Sequence, residues 1–275
     1  MEVREEVQDL RTCQPEDREV SMIVSWNDRL LAEDEVKVSP FDGGLLRGEG
    51  VFETMRAVDG RVCFWPRHFS RLLNSAEKLS ISVPDPEVIE HAISDVLRAN
   101  DLGAVQARVR LTLTGNILIT AVPLTSAPAV CRVATTASPI NERSPLAGAK
   151  VCSYAENMAV LRASGADEAI RPNTRGELCE GCLSNIFFVI DGVVSTPSLE
   201  TGCLPGVARS VLLDRNSEFR EGTWPVSILE RADEIWLTNA TKLVTWVDEC
   251  DGRSLGPPTE LFQRTLADLR EAAKH

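Results

Sequence analysis

Lys150 stands in a setting that could give an amine covalent chemistry. Its neighbours are small or apolar: Ala147, Gly148, Ala149, Val151 and Cys152. Burial among such residues lowers the pKa of a lysine, and an amine that has lost its proton can attack an aldehyde. Lys37, Lys78 and Lys274 are expected to be solvated, and Lys242, in a turn, is the rival candidate.

Other reactive residue types are scarce. The three histidines are His68, His91 and His275, too few for a histidine-rich metal site or a Ser/His/Asp triad. Cys179 and Cys182 have CxxC spacing, but there is no second pair and no nearby histidine. We therefore expect no metal.

Four segments, in this order along the chain, resemble the fold-type IV pyridoxal-phosphate enzymes. They are GEGVFETMRAVDG at 48–60 with RHFSRL at 67–72, AGAK at 147–150 with Tyr154, EGCLSNIFF from Glu180, and GCLPGVAR from Gly202. The family includes branched-chain aminotransferase, D-amino acid aminotransferase and 4-amino-4-deoxychorismate lyase. The resemblance runs from about Trp26 to Val247 and is specific, because independent motifs agree in order and spacing.

This resemblance implies a cofactor, a fold and three catalytic side chains. The cofactor is pyridoxal 5′-phosphate, in the cleft between two mixed α/β domains of a homodimer. Lys150 matches the lysine that carries the cofactor and then moves the substrate proton. Glu180 matches the carboxylate that keeps the pyridine nitrogen protonated, so that the ring accepts electrons. Tyr154 matches a tyrosine whose hydroxyl is donated to the ring oxygen; packing in the core is its alternative role.

The resemblance also implies three anchors for the cofactor phosphate. The first is Arg71, three residues after His68 on one helical face. The others are the segment from Gly206 through Val207 to Ala208, at a predicted helix N-terminus, and the segment Asn239, Ala240 and Thr241. Ala208 departs from the relatives, which have a threonine there. One side-chain hydroxyl is therefore missing, although the backbone donors remain.

Substrate recognition is assigned to an arginine pair. Arg108 and Arg110 share one face of a predicted strand and could hold a carboxylate, although such a pair is also typical of a solvated face. Arg110 lies near the position where branched-chain enzymes carry an arginine. D-amino acid aminotransferases have Arg-Gly after this strand. Thr114-Gly115 stands there in this chain, which weakens that assignment.

Hydrophobic periodicity predicts the elements that position these residues. Apolar residues recur at helical spacing over 69–79 and, after Asp85-Pro86, over 88–97. Period-two alternation predicts a strand over 105–113, and Asp59-Gly60 and Asp191-Gly192 predict hairpin turns. Further helices are predicted at 156–164, after Gly206 and after Thr259, and further strands at 22–26, 51–65, 234–238 and 243–247.

These elements predict two mixed α/β domains. Residues 1–20 are polar and aperiodic and are interpreted as a disordered or loosely attached extension. Residues 21–136 form a small N-terminal domain, and 137–149, which contain prolines and small polar residues, form the interdomain linker. Residues 150–275 form the larger C-terminal domain with the catalytic lysine.

Composition excludes several classes of partner. The formal net charge of −12 disfavours nucleic acid, and no stretch approaches the roughly 20 apolar residues of a membrane span. Eight cysteines spread over a chain of this size are expected to be reduced thiols, which predicts a cytoplasmic protein. The expected partners are small amino and 2-oxo acids.

Three functions remain open. The leading hypothesis is a class IV aminotransferase that exchanges an amino group between an amino acid, or an amine, and a 2-oxo acid. The second is 4-amino-4-deoxychorismate lyase, with the same cofactor and lysine, which the SPLAGAK and ADEA stretches favour. The third is a cofactor-free binding protein on the same fold. Intact Lys150, Glu180 and Arg71 argue against the third, because binding alone has no need for this set.

Overall fold

The structure is a computed structural model that describes residues 21–124 and 131–274. The predicted extension at 1–20 lies outside the described residues, as does His275. The elements up to residue 124 are β1 (Ile23–Trp26), β2 (Arg29–Ala32), α1 (Gly43–Arg47), β3 (Val51–Val58), β4 (Arg61–Val62), α2 (Trp65–Lys78), α3 (Pro86–Ala99), β5 (Ala107–Leu113) and β6 (Ile117–Pro123).

The described elements after residue 130 are short strands and three α-helices. They are β7 (Arg132–Thr135), α4 (Ala155–Ser164), β8 (Glu168–Pro172), β9 (Leu178–Gly181), β10 (Asn185–Ile190), β11 (Val193–Pro197), α5 (Val207–Arg215), β12 (Arg220–Gly222), β13 (Glu234–Asn239), β14 (Leu243–Trp246), β15 (Glu249–Cys250), β16 (Arg253–Ser254) and α6 (Glu260–Ala272).

The first half forms one antiparallel sheet in the order β2-β1-β6-β5-β3-β4. Helices α2 and α3 pack against it. In β5 the residues Ala107, Val109, Leu111 and Leu113 alternate into the shared core, which confirms the period-two prediction. Val105 was predicted to share that face, but the strand begins after it and Val105 is exposed.

The second half contains two five-stranded sheets, β12-β11-β10-β13-β14 and β16-β15-β7-β8-β9. The central strand β10 is buried on both faces. Phe187 and Val189 pack in one core with side chains of α5 and α6, whereas Ile186 and Phe188 pack in another core with side chains of the second of these sheets. The NIFFVI run therefore lacks the polar alternation of a strand with one solvated face.

The turns predicted from the sequence are present, and two predictions beside them differ in detail from the structure. Asp59-Gly60 and Asp191-Gly192 have positive φ at both residues, as the tight hairpin turns require. The strands predicted over 51–65 are β3 and β4, on either side of the Asp59-Gly60 turn, but β4 ends at Val62 and Trp65 begins α2. Asp85 occupies the N-cap position of α3, but its side chain makes no capping hydrogen bond.

Strand pairing bears on the predicted domain division. β7 was assigned to the N-terminal domain, yet it pairs with β8 and β15 of the second half. The division into domains stays a proposal, and we place its boundary before residue 132 because β7 completes a sheet of the second half. Residues 137–149 are tied to that half as well, since the Ile140 amide donates to the Pro172 carbonyl at 2.8 Å.

Candidate active site

The backbone of Lys150 is fixed to the first half of the molecule. Its carbonyl accepts a hydrogen bond from the Phe52 amide at 3.0 Å, and its own amide donates to the Ser75 hydroxyl at 3.0 Å. Val151 continues the contact through a bridge to Val51. Strand β3 and helix α2 therefore set the direction in which the lysine enters the site.

The amine of Lys150 lies between aromatic rings. Its Nζ is 4.5 Å from the centroid of the Phe52 ring and 5.7 Å from that of Tyr154. Among the described residues no hydrogen-bond acceptor is found for this Nζ. Withdrawal from water, followed by the charge of Arg71, lowers the pKa of Lys150 from 10.5 to about 8, although Glu53 and Glu180 act in the opposite direction. The amine is thus closer to its reactive form than an ordinary lysine.

Tyr154 lies beside this amine, at the start of α4. Its ring meets the Phe52 ring edge-on, with 5.4 Å between centroids. Burial and the nearby carboxylates of Glu180 and Glu168 raise the pKa of Tyr154 well above its usual range. The hydroxyl therefore stays protonated at neutral pH and can donate a hydrogen bond.

Glu180, on β9, is held by two neutral donors. Its Oε2 accepts from the Asn185 side-chain amide at 3.1 Å and from the Leu204 amide at 2.9 Å. Burial raises the pKa of Glu180 to about 7, against the lowering effects of the Leu204 hydrogen bond and the Lys150 charge, and Glu168 adds to the rise. Asn185 also donates to the Leu204 carbonyl at 2.8 Å, so it joins β10 to the segment that leads into α5.

Arg71 belongs to a buried group that we call the arginine cluster: Glu53, His68 and Arg71. Its Nε and Nη2 donate to the two carboxylate oxygens of Glu53 at 2.8 and 2.7 Å. Its Nη1 donates to the carbonyl of Pro205 at 3.2 Å. The guanidinium therefore lies next to the segment that leads into α5.

The N-terminus of α5 offers the backbone donors expected of an anion site. Gly206 is the N-cap residue, and the amides of Val207 and Ala208 lie in the first turn, where the helix supplies no acceptor. A Cβ on Gly206 would come within 1.8 Å of the Asn185 Oδ1, so any other residue here would displace the Asn185 side chain. Asn185, the partner of Glu180, is therefore packed against the start of α5.

The third predicted anchor, the segment from Asn239 to Thr241, uses most of its polar groups in hydrogen bonds within the turn. The Asn239 Oδ1 accepts hydrogen bonds from the Thr241 amide and hydroxyl, both at 3.1 Å, and from the Lys242 amide at 2.8 Å. The carbonyl of Thr241 accepts from Arg56. The Thr241 donors would have to leave Asn239 to reach a phosphate, whereas the Ala240 amide has no such constraint.

The arginine pair on β5 divides between two surroundings. The guanidinium carbon of Arg110 lies 3.9 Å from the centroid of the Phe52 ring, the ring that also contacts Lys150. Arg108 lies opposite Arg56 in the sheet, two residues further from that ring. The structure therefore brings Arg110, and not Arg108, to the ring that Lys150 contacts.

The structure thus gathers Lys150, Tyr154, Glu180 and Arg71, named from the sequence, into one region in which their charges influence one another. It adds Phe52, which contacts the lysine, the tyrosine and Arg110, and Glu53, which holds Arg71. The sequence did carry a signal for Glu53. It occupies a position of β3 whose neighbours at spacing two, Val51 and Met55, are core residues.

Three further observations concern other kinds of site. Within residues 21–124 and 131–274, no group of three His, Cys, Asp or Glu side chains is arranged to hold a metal ion. The seven cysteines of those ranges are free thiols, including Cys179 and Cys182. No helix in the described part of the chain is long and apolar enough to cross a membrane.

Comparison with known proteins defines the class. Residues 50–250 match the model of the amino-transferase class IV family, and the chain belongs to that family of enzymes. Among curated relatives, the aminodeoxychorismate lyase of Bacillus subtilis is 31% identical over 267 residues, which cover 86% of this chain and 91% of the relative.

Solved structures show the same fold, that of the fold-type IV aminotransferases. The branched-chain aminotransferase of Thermoproteus uzoniensis, solved with norvaline, superposes with a TM-score of 0.85 at 28% identity and covers 92% of this chain and 94% of its own. A Mycobacterium tuberculosis protein described as a hypothetical aminotransferase, in its PLP-bound form, superposes with a TM-score of 0.82 at 25% identity. The match covers 91% of this chain and 98% of the Mycobacterium tuberculosis chain.

Proposed function

We propose that the protein uses pyridoxal 5′-phosphate to transfer an amino group between an amino acid, or an amine, and a 2-oxo acid. One observation carries this proposal. The Lys150 amine is withdrawn from water beside two aromatic rings, has a pKa of about 8, and lies within reach of the charges of Arg71 and Glu180. An amine, a carboxylate and a cation in one region are the groups that this cofactor requires.

The residues present offer the groups that would hold the cofactor. Lys150 has an amine without an acceptor among the described residues, and the first-turn amides of α5 lie beside Arg71. We assign the phosphate to Arg71 and the Val207 and Ala208 amides, the pyridine nitrogen to Glu180, and the ring oxygen to the Tyr154 hydroxyl. When bound, the cofactor supplies an electron sink for the bonds at the substrate α carbon.

The chain's own groups then handle the protons. We assign the proton on the substrate α carbon to Lys150, whose lowered pKa leaves a useful fraction of free amine at neutral pH. Glu180 must instead be deprotonated, because its carboxylate has to stay charged opposite a protonated ring nitrogen. Its pKa of about 7 describes the protein alone, and a cationic partner would lower it.

Arg110 is our candidate for the substrate carboxylate. Its guanidinium and the Lys150 amine contact the same Phe52 ring, so a carboxylate held by Arg110 would keep an attached amino or oxo group near the lysine. This placement supports amino acids and 2-oxo acids as substrates.

Peptide mapping after borohydride reduction tests the cofactor assignment. We expect the purified protein to be yellow and reduction to fix the cofactor on the peptide that contains Lys150. The matched control is Lys242→Ala, which removes the rival lysine and should leave labelling unchanged. Label on Lys242, or no label after addition of cofactor, would contradict the proposal.

The second candidate function is 4-amino-4-deoxychorismate lyase. The 31% identity to the Bacillus subtilis lyase favours it. To distinguish the two, a panel of L- and D-amino acids and amines is offered with 2-oxoglutarate or pyruvate as acceptor, and at least one donor should react. If none reacts while 4-amino-4-deoxychorismate yields 4-aminobenzoate and pyruvate, the lyase function replaces the aminotransferase function.

We further propose that the enzyme is a cytoplasmic homodimer. An apolar surface around α1 supports the dimer, because Phe41 is 85% and Leu45 is 64% exposed in the single chain, with Leu46 beside them. The free thiols of the described residues support the location. Sedimentation analysis should give twice the chain mass for the wild type and the chain mass for Leu45→Asp, and a monomeric wild type would refute the dimer.

A further inference from the structure

The arginine cluster places a carboxylate inside the hydrophobic core of the first half. Glu53, on β3, is fully inaccessible to water, and Arg71, on α2, is 7% exposed. The third member, His68, lies one helical turn before Arg71 and shares the same carboxylate, with its Nδ1 2.7 Å from Oε2. An isolated charge in such a position is strongly unfavourable, so the three side chains form one unit.

Every oxygen of Glu53 is engaged in this unit. Oε1 accepts from the Arg71 Nε, and Oε2 accepts from the Arg71 Nη2 and faces the His68 ring nitrogen. Burial acts to raise the pKa of Glu53, but the charge and hydrogen bonds of Arg71, with the hydrogen bond of His68, outweigh it and lower the pKa to about 2. Burial lowers the pKa of His68, which favours a neutral ring that donates from Nδ1.

This side-on pairing fixes the plane of the guanidinium. A guanidinium has five N–H donors in a rigid fork. Two are used on Glu53 and one on the Pro205 carbonyl, so one N–H on each of Nη1 and Nη2 remains for a ligand. Pro205 directly precedes the N-cap residue of α5, which places these remaining donors beside the helix start.

We infer that Glu53 is a positioning residue, whose carboxylate holds Arg71 so that its two remaining N–H groups and the α5 amides bind the same phosphate. The inference rests on the proposed function, since it takes the ligand to be the cofactor phosphate. An arginine without this partner has many rotamers, and holding it in one of them lowers the entropy lost on binding.

Binding of two probes to the full-length protein, depleted of cofactor with phenylhydrazine and dialysed, tests the inference. The probes are pyridoxal 5′-phosphate and pyridoxal, which lacks the phosphate, and each Kd is read from the absorbance of the lysine-bound form. Glu53→Gln should weaken pyridoxal 5′-phosphate about tenfold relative to pyridoxal, the equivalent of one charge-assisted hydrogen bond, and the ratio of the two constants cancels any effect of the Glu53 charge on the Lys150 amine. In an Arg71→Ala background, Glu53→Gln should have no further effect on the ratio of the two constants.

Two other variants complete the experiment. Glu53→Asp keeps the charge but is one methylene shorter, so it should shift the ratio about threefold in the same direction and serves if Glu53→Gln does not fold. Asp268→Asn is the matched control, because it breaks a two-bonded pair with Arg215 at the other end of α5 and should leave both constants unchanged.

Equal weakening of both probes by the Glu53 variants would overturn the inference, since Glu53 would then support the fold without directing Arg71. Unchanged or tighter binding of pyridoxal 5′-phosphate would also overturn it. A wild-type protein that captures neither probe on Lys150 would instead refute the proposed function, and the inference with it. Circular dichroism melting of each variant separates loss of folding from loss of the phosphate contact.

Discussion

Two groups of buried ionisable side chains influence one another in this protein, yet the pKa values of their acids, Glu53 and Glu180, move in opposite directions. In the arginine cluster, the pKa of the acid Glu53 falls to about 2. In what we call the lysine cluster, Lys150, Tyr154 and Glu180, the pKa of the acid Glu180 rises to about 7 and that of Lys150 falls to about 8.

The difference lies in the partners that each carboxylate has. Both oxygens of Glu53 bond one edge of the Arg71 guanidinium, so the charge of the carboxylate is compensated at contact distance. Glu180 bonds only neutral N–H groups of Asn185 and Leu204, which do not fully offset the loss of water. A compensated pair stays charged and rigid and suits binding. A group whose pKa lies near neutrality, such as the Lys150 amine, suits proton transfer, and the Glu180 carboxylate would become charged once a cationic partner lies beside it.

The largest effect should come from removal of the amine. Lys150→Ala should lower turnover by roughly 10⁴-fold or more, because the covalent attachment and the proton carrier are lost together. Steady-state assays with the active donor measure this, and borohydride should no longer label the protein. Turnover within tenfold of the wild type would place the catalytic amine elsewhere.

Glu180→Gln should damage chemistry more than binding. The amide can still accept from Asn185 and Leu204, but it cannot hold a proton on the ring nitrogen. Turnover per bound cofactor should fall about 100- to 1000-fold, or roughly 3 to 4 kcal/mol, by analogy with other preorganised sites. Near-normal turnover at full cofactor occupancy would show that Glu180 is not the ring-nitrogen partner.

Arg71→Ala should do the reverse and weaken cofactor retention. We expect the Kd for pyridoxal 5′-phosphate to rise about 10- to 100-fold, with partial rescue of turnover by excess cofactor. Unfolding should become easier by about 3 kcal/mol or more, because Glu53 is left buried without its cation. Arg215→Ala, which breaks an exposed pair with Asp268, is the control and should change neither quantity appreciably. Unaltered cofactor affinity in Arg71→Ala would remove Arg71 from the phosphate site.

The smallest effect concerns pH. The pKa of Lys150 is lowered, so its reactive free amine increases as pH rises through about 8 instead of 10.5. The free fraction is about one tenth at pH 7 and nine tenths at pH 9, so in the cofactor-depleted protein the initial rate of reductive methylation at Lys150, followed by mass spectrometry, should rise about tenfold between these two pH values and then level off. A rate that still climbs steeply from pH 9 to 10 would show an ordinary lysine.

Much of the fold was predictable because its signals are local. Helices α2 and α3, the alternation in β5 and both Asp-Gly hairpin turns depend on neighbouring residues and follow from the sequence. The pairing of β7 with β8 and β15 was not predictable. It joins segments that are distant along the chain, and the sequence of a four-residue strand does not indicate which other strand it pairs with.

The residues of the candidate site also divide into those that the sequence predicted and those that it did not. Lys150, Glu180 and Arg71 were named from motifs, and Arg110 from its strand face. Glu53 was not named, although a carboxylate among the core positions of β3 requires a buried partner, and the next helix supplies one in Arg71. The role of Phe52 had no signal, because an aromatic residue in a strand is most often part of a core.

What the sequence determined by itself is which residue types are available: one lysine among small neighbours, one tyrosine, and motifs in the order of a known family. Tertiary structure decided the charge state of each. A pKa depends on the loss of water and on charges within a few ångströms, and those distances join residues 53, 71, 150 and 180, which are far apart along the chain. The same carboxylate chemistry therefore gives a fixed anion at Glu53 and a titratable acid at Glu180.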